Sequence, residues 1–528
     1  MARLNKADLE QMGEEYFRSL EPERLVEVAK NLHSLAIEQL EKLELTSQTS
    51  SRPPSSDNPY GKSKASQKVK GLKVSPEDPS SKEPSSKTES SGSREKSGST
   101  DQEKAKAKGF GQPKAGKQPG AKGKWRNQPL KAERIIEHYP QYCAACNASL
   151  ENGHRDEKPY MGYYQLELVR PKSGLRVECV LHHYYGATCS CNHHSQAAPL
   201  EGELSEVAGR KVQLQLQEYT LVGPMLASMI ASLSVRYRLS RAKIQEFLLD
   251  WTDVELSIGS IDRSIREAGF ACRPVVEDLI EQLQNAEILH LDETPWYKSG
   301  HLCWLWVAMS YDSAVFFIGA RTKEMLSRII TPEFSGWLVS DGYGAYRWVE
   351  HRQRCLAHLI RKALALTQAV VMEVRQLGQW LLDELRELIH TRTSGESREL
   401  LENARRRLQQ VALLARESEH SKLKALAKEI LADWDAVVAF VENPQLPVTN
   451  NHAERALRHA VIARRIGYGT RTEEGTSSYA TLLSVIETCR LRGFNPWTYL
   501  GEVIATRRKG MSAPLMPQIL PVATSSTV

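Results

Sequence analysis

Between residues 286 and 342 four short runs, ILHLDE, CWLWVAMS, AVFFIGA and WLVSD, are rich in apolar, β-branched and aromatic residues. They read as strands, with a helical stretch, KEMLSRII, between the third and fourth. Residues 357–443 then return to helix, where Val374, Leu377, Leu381, Leu385 and Leu388 form an apolar stripe at helical spacing. A last helical region runs from about Asn451 to Arg507, interrupted around Gly467–Gly475. The pattern predicts a mixed sheet domain that is split by a helical insertion.

Upstream, residues 211–285 read as wholly helical. RLSRAKIQEFLLD and SIGSIDRSIREAG make two short helices flanking the connection WTDVEL. That arrangement is compatible with a helix-turn-helix whose second helix offers Arg263 and Arg266 to DNA, although any helical hairpin produces the same signal. From Thr46 to about Lys131 the composition turns to Ser, Lys, Pro and Gly, which cannot bury enough surface to offset ordering entropy. A disordered linker is expected there, its lysines able to hold phosphate without reading sequence. Residues 8–45 read as helix interrupted near Pro22. Leu25, Val28, Leu32 and Leu35 keep heptad spacing until Gln39 and Lys42 break it, which favours an ordinary amphipathic helix over a coiled coil.

A chain of 528 residues is too long for one ordinary core. The expected plan is a helical segment (1–45), the linker (46–131), a cysteine-dense module (132–200), a helical region (201–285), the sheet domain (286–510, insertion about 363–445) and a tail (511–528). Lys and Arg number 70 against 64 Asp and Glu, and much of the surplus lies between Lys62 and Lys131, so a polyanion is a plausible partner and a solvated tail the plain alternative. The start, MARLNKADLEQMG, has no apolar run after its basic residues, and no apolar segment is long enough for a bilayer. Nine cysteines, an odd number, argue against a disulfide framework. A soluble cytoplasmic protein is expected.

In the cysteine module, Cys143 and Cys146 form a CxxC knuckle, followed after two expected strands by Cys189, Cys191, His193 and His194. Two cysteine pairs suit one structural Zn²⁺, because four thiolates satisfy its tetrahedral preference. The second pair is CxC, which leaves His193 or His194 open as a substitute for Cys191. Cys179, on one of the strands, reads as packing.

Asp292 and Asp341 each close an apolar strand pattern, ILHLD and WLVSD. Carboxylates at strand ends stay accessible while the sheet fixes their positions, as a site for hard cations requires. Each has a plain alternative: DET before Pro295 could open a turn, and Asp341–Gly342 is a common turn dipeptide. Glu454 could simply complete a capping box with Asn451 as N-cap. Cys355 and His358 could be mistaken for half of a zinc site, but no second pair lies nearby in sequence and cysteine is also a common buried residue. A structural or DNA-positioning role is expected for His358, with Arg361 and Lys362 on phosphate.

Five motifs occur in order: ILHLDETPW, LVSDGYGAY, CLAHLIRK, TNNHAERALR and SVIETCRLRGFNPWTYL. Together they resemble the insertion-sequence-66 family of bacterial transposases, in the DDE superfamily, from the cysteine module to about Thr506. The resemblance implies a multidomain α+β protein with an RNase H-like catalytic core carrying an all-helical insertion, preceded by a zinc-binding domain. Asp292 and Asp341 would converge from the neighbouring first and fourth strands, and Glu454 would complete a triad, with Glu293 on the other face. Such a triad would hold two Mg²⁺ or Mn²⁺ about 4 Å apart for cleavage and strand transfer. Implied partners are terminal inverted repeats and target DNA, further copies of the chain and accessory proteins of the same element. Arg455, Arg458, Arg464 and Arg465, close to Glu454, would line a DNA path. The alternative is a domesticated DNA-binding protein that keeps the fold without catalysis.

Overall fold

The computed structural model describes residues 14–43, 130–171, 174–205 and 214–518. The expected linker lies almost wholly outside them. Helices α1 (Glu14–Arg18) and α2 (Pro22–Leu43) break at Pro22 as expected, and Leu25 is exposed.

From Leu130 onward a small β module comes first. Strands β1 (Arg134–His138), β2 (His154–Arg155), β3 (Met161–Val169), β4 (Arg176–Tyr184), β5 (Gly186–Thr188) and β6 (His194–Gln196) form two three-stranded sheets, β1-β4-β3 and β2-β5-β6. Strands β7 (Glu201–Leu204) and β8 (Gln215–Gln217) pair as an antiparallel ribbon. The helical reading of 211–285 is corrected at its start: QLQ alternates with period two, and Leu216 is fully buried. Helix begins at Pro224, with α3 (Pro224–Val235), α4 (Arg241–Thr252), α5 (Ile258–Ala271) and α6 (Arg273–Gln284). Ser240 and Ser257 cap α4 and α5, each accepting an amide three residues on, so the two-helix reading around WTDVEL holds.

The five-stranded sheet has the order β11-β10-β9-β12-β13. Strands β9 (Ile288–Lys298), β10 (His301–Met309) and β11 (Ala314–Gly319) are antiparallel neighbours; after helix α7 (Lys323–Leu326), β12 (Trp337–Ser340) and β13 (Arg352–Arg354) add in parallel. Ser299 and Gly300, both at positive φ (50° and 81°), make the tight β9–β10 turn. The far edge of β11 is covered, because Thr488 and Ser484 hydroxyls accept the Ala314 and Phe316 amides (3.0 and 2.8 Å).

Beyond β13, helices α8 (Leu356–Leu366), α9 (Met372–Thr393), α10 (Arg398–Arg416), α11 (Ser421–Ala432) and α12 (Trp434–Glu442) follow one another as a helical insertion that starts before residue 363. Its stripe residues Val374, Leu381, Leu385 and Leu388 are buried in a core of its own. Helices α13 (Asn451–Gly467), α14 (Glu473–Leu491) and α15 (Pro496–Arg508) then return to the main core. That core runs without a break from Leu168 through α3–α6 to the sheet, so the packing shows no seam at residue 285.

The insertion meets the sheet through buried charge. Arg352 and Arg354 on β13 both pair with Asp433 (2.5 and 3.2 Å), and Arg354 also pairs with Glu429, which Lys362 holds at 2.7 Å. Burial alone would raise the Asp433 carboxyl; hydrogen bonds and charge from the two arginines bring it below its ordinary value. Asp433→Ala is expected to cost about 3–5 kcal/mol in urea unfolding, because it removes the shared partner of two buried guanidinium groups. A loss below about 1 kcal/mol would show that Glu429, on Arg354, and the Val349 carbonyl, on Arg352, suffice without Asp433.

Candidate metal centres and catalytic site

The four expected cysteines come together. Cys143 and Cys191 sulfurs lie 3.6 Å apart, Cys146 and Cys189 sulfurs 3.5 Å apart, and all four lie within 4.8 Å of one another. Zn–S bonds of about 2.3 Å at tetrahedral angles put sulfurs roughly 3.8 Å apart, so the donor set fits zinc. Backbone amides of Cys146 and Ala145 help push the Cys143 thiol down to about 6, towards the ligating form. The alternative ligands are turned elsewhere: His194 contacts Asp156 (3.4 Å) and Thr188 (3.2 Å), and His193 is exposed, outside the cluster. Cys179 packs in the main core, as expected.

Asp292 does not end its strand. β9 continues to Lys298, paired throughout with β10, so the DET turn does not form. What ends beside Asp292 is β12, whose pairing with β9 covers only Ile288, Leu289 and His290. Pro295 is tolerated because that side of β9 has by then lost its partner. Asp341 directly follows the last residue of β12. The two carboxylates therefore stand at neighbouring positions where the parallel ladder stops.

The capping box at Glu454 does not form either. The N-cap is Asn450, without a side-chain cap. Its amide group instead ties α13 to β9: His290 Nδ1 donates to Asn450 Oδ1 (2.9 Å), and Asn450 Nδ2 donates to the Leu291 carbonyl (2.7 Å). The Asn450 backbone N–H donates to Cys355 Sγ (3.1 Å). One turn into the helix, Glu454 is aimed at Arg361 (3.2 Å) and His358 (3.7 Å).

Burial pushes the Asp292 carboxyl well above its ordinary value, and the charges of Glu293, Asp341 and Glu454 add to the push. Among the described residues no Lys or Arg pairs with Asp292 or Asp341. Two aspartates without a cation, next to a glutamate that Arg361 holds, offer oxygen donors of the kind a hard cation takes. Glu293 is on the opposite face, held by Arg321 (2.6 Å) and Tyr346 (2.6 Å). Asp341 is oriented by the Tyr343 amide (2.8 Å). A Cβ at Gly342 would lie 2.0 Å from the Arg354 guanidinium, so any larger residue there must displace a side chain that Asp433 and Glu429 hold.

Several expected DNA-facing cations are engaged within the fold. Arg266 pairs with Asp262 (3.0 Å) and Glu474 (3.4 Å), Arg464 donates to Thr294 (3.1 Å) and the Pro295 carbonyl, Arg361 holds Glu454, and Lys362 holds Glu429. Arg263, Arg455, Arg458 and Arg465 are exposed.

Residues 219–478 match the family described as Transposase IS66 family. This stretch is an IS66 family transposase domain. It holds the whole acidic cluster, whereas the four-cysteine cluster lies before it. Among similar curated proteins, both from Sinorhizobium fredii, uncharacterized protein y4jD is 25% identical over 269 residues, 44% of this chain and 52% of that protein. Uncharacterized protein y4qI is 24% identical over 311 residues, 51% and 56% of the respective lengths. The chain thus spans about half the length of these relatives. Among the described residues no helix is long and apolar enough to cross a membrane.

Two outcomes are expected. Full-length protein should hold about one tight zinc, lost in Cys191→Ser but kept in His193→Ala and His194→Ala; metal analysis after gel filtration decides, and loss only in a histidine variant would move the fourth ligand. Asp292→Asn should melt higher than the wild type in chelator at neutral pH. An acid whose folded pKa is raised makes folding less favourable as pH climbs from its unfolded value through its folded one. The gap should therefore open with rising pH, and Mg²⁺ should narrow it by stabilising the wild type alone. A variant that melts lower at every pH would show that the Asp292 charge is already compensated.

Proposed function

We propose that the chain is a transposase that cuts DNA at the ends of an insertion sequence and joins the released ends to target DNA. The observation that carries the reading is the convergence of Asp292, Asp341 and Glu454 inside an IS66 family transposase domain, without a cation on either aspartate. The strand order and the parallel β9–β12 pair support an RNase H-like core.

In this reading Asp292, Asp341 and Glu454 hold two Mg²⁺ or Mn²⁺ ions. Bound there, the ions would neutralise charge on the transferring phosphate and activate the nucleophile. The protein's own part is positioning. β9 and β12 fix the aspartates, the Tyr343 amide orients Asp341, and Asn450 sets the depth of α13 and so of Glu454. Arg361, which holds Glu454, would be released to contact phosphate if that carboxylate held an ion instead. Exposed Arg455, Arg458 and Arg465 on α13, with Arg263 on α5, contact the DNA backbone. Water would attack the phosphodiester at the element's end, so that its P–O3′ bond breaks, the 3′-OH leaves and the 5′-phosphate keeps the new oxygen; that 3′-OH would then attack a target phosphodiester and expel the target strand's own 3′-oxygen. The four-cysteine zinc module fixes a small fold that docks on the terminal repeats. The working form is an oligomer on DNA in the bacterial cytoplasm.

Asp292→Asn, Asp341→Asn and Glu454→Gln should each reduce cleavage of an end-containing duplex by about 10²-fold or more, because each removes a metal-directed charge at nearly constant volume. Binding of the same duplex in gel shift should stay nearly unchanged. Cleavage that survives in all three variants would sink the catalytic reading and leave the domesticated DNA-binding protein in its place.

A further inference from the structure

The sequence gives Cys355 and His358 no matching second pair, and a structural role is expected from it, but the fold brings up a third donor from almost a hundred residues away. The Cys355 sulfur, a His358 ring nitrogen and a Glu454 carboxylate oxygen all lie within 4.8 Å of one another. Cys355 is the N-cap of α8, and His358 follows one turn later on the same face. The thiol is fully buried, and the Asn450 amide fixes its sulfur at 3.1 Å. His358 Nδ1 is sealed from solvent without a hydrogen-bond partner, 3.7 Å from Glu454 Oε1. A buried ring nitrogen left unpaired is costly, and nothing in the surrounding packing satisfies it.

We propose that Cys355, His358 and Glu454 form a second cation site, of zinc type, whose occupancy withdraws Glu454 from the acidic cluster. Thiolate, imidazole and carboxylate together suit Zn²⁺, whereas Mg²⁺ takes oxygen donors and dehydrates reluctantly. Donors bonded at about 2.0–2.3 Å in a tetrahedron stand roughly 3.3–3.8 Å apart, so the cluster closes by about 1 Å through side-chain rotation. On binding, the Zn–S bond forms as the thiol proton leaves to solvent, a water fills the fourth position, and no group changes oxidation state. Arg361, 3.2 Å from Glu454, must swing away. That displacement makes the site weaker than the four-cysteine cluster.

The site rests on its own donors, whereas its consequence rests on the catalytic reading. A carboxylate held by zinc beside Cys355 is not available to hold Mg²⁺ beside Asp292 and Asp341, so zinc acts as an inhibitor.

The test uses the full-length chain with its four-cysteine cluster already filled with zinc. Co²⁺ is then titrated in, because it displaces zinc from thiolates poorly and its thiolate charge-transfer band reports a new Co–S bond. The wild type should gain the band with about one equivalent of Co²⁺, and Cys355→Ala should lose it. His358→Ala keeps the thiol and should weaken Co²⁺ binding about tenfold or more, which covers the case in which the cysteine variant folds poorly. No band in the wild type, or a band that survives in Cys355→Ala, overturns the site. Where the wild type cleaves DNA in Mg²⁺, Cys355→Ala should shift half-inhibition by Zn²⁺ upward by about tenfold or more. Equal inhibition in both proteins overturns the inhibitory role. A wild type that forms the Co–S band but cuts no DNA fails the catalytic reading and leaves the metal site standing.

Discussion

Three segments far apart in the chain meet at the side chain of Asn450. Its amide accepts from His290, donates to the Leu291 carbonyl, and follows a backbone N–H that donates to the Cys355 sulfur. Asn450 is almost wholly buried, so these bonds are not exchanged with water, and a buried amide without them would cost several kcal/mol. The bonds close the chain after the long helical insertion. They fix where α13 starts relative to β9 and β13, and so where Glu454 stands relative to Asp292. A capping role for this asparagine would have served the helix alone. Turned towards β9, it serves the sheet as well.

Charge is handled in two opposite ways on either side of this junction. Where the insertion meets β13, Arg352, Arg354, Lys362, Glu429 and Asp433 neutralise one another, and the two acids are held below their ordinary carboxylate values despite burial. At Asp292 the charges are all of one sign and the carboxyl is pushed upward. The Arg354 guanidinium packs against Gly342, the residue after Asp341, so the compensated network supports the turn that carries an uncompensated acid. Rigid support beneath and unrelieved charge above is the arrangement that a metal-dependent site requires.

The sequence by itself determined the elements that depend on local pattern. The β9 to β12 runs, the stripe of α9, the two helices around WTDVEL and the clustered cysteines are all legible, because periodicity and ligand spacing are properties of short segments. The motif resemblance pointed to the same domain that the family comparison identifies over residues 219–478. Local pattern failed where the deciding partner is remote. DET before Pro295 resembles a turn, yet β10 pairs along its whole length and keeps it in strand. The short β8 was read as helix for a different reason: an alternation of three residues is too brief to stand out beside the long helical run that follows it. Arg266, Arg361 and Arg464 read as free cations, and only the tertiary structure supplies Glu474, Glu454 and the Pro295 carbonyl. The same holds for the His358 ring nitrogen and Glu454, which are 96 residues apart in sequence, by subtraction of 358 from 454, yet 3.7 Å apart in space. Spacing along a chain encodes which side chains can share one helix face or one strand. Which of them meet across elements was settled by the burial of Asn450 and by the register of β12 on β9.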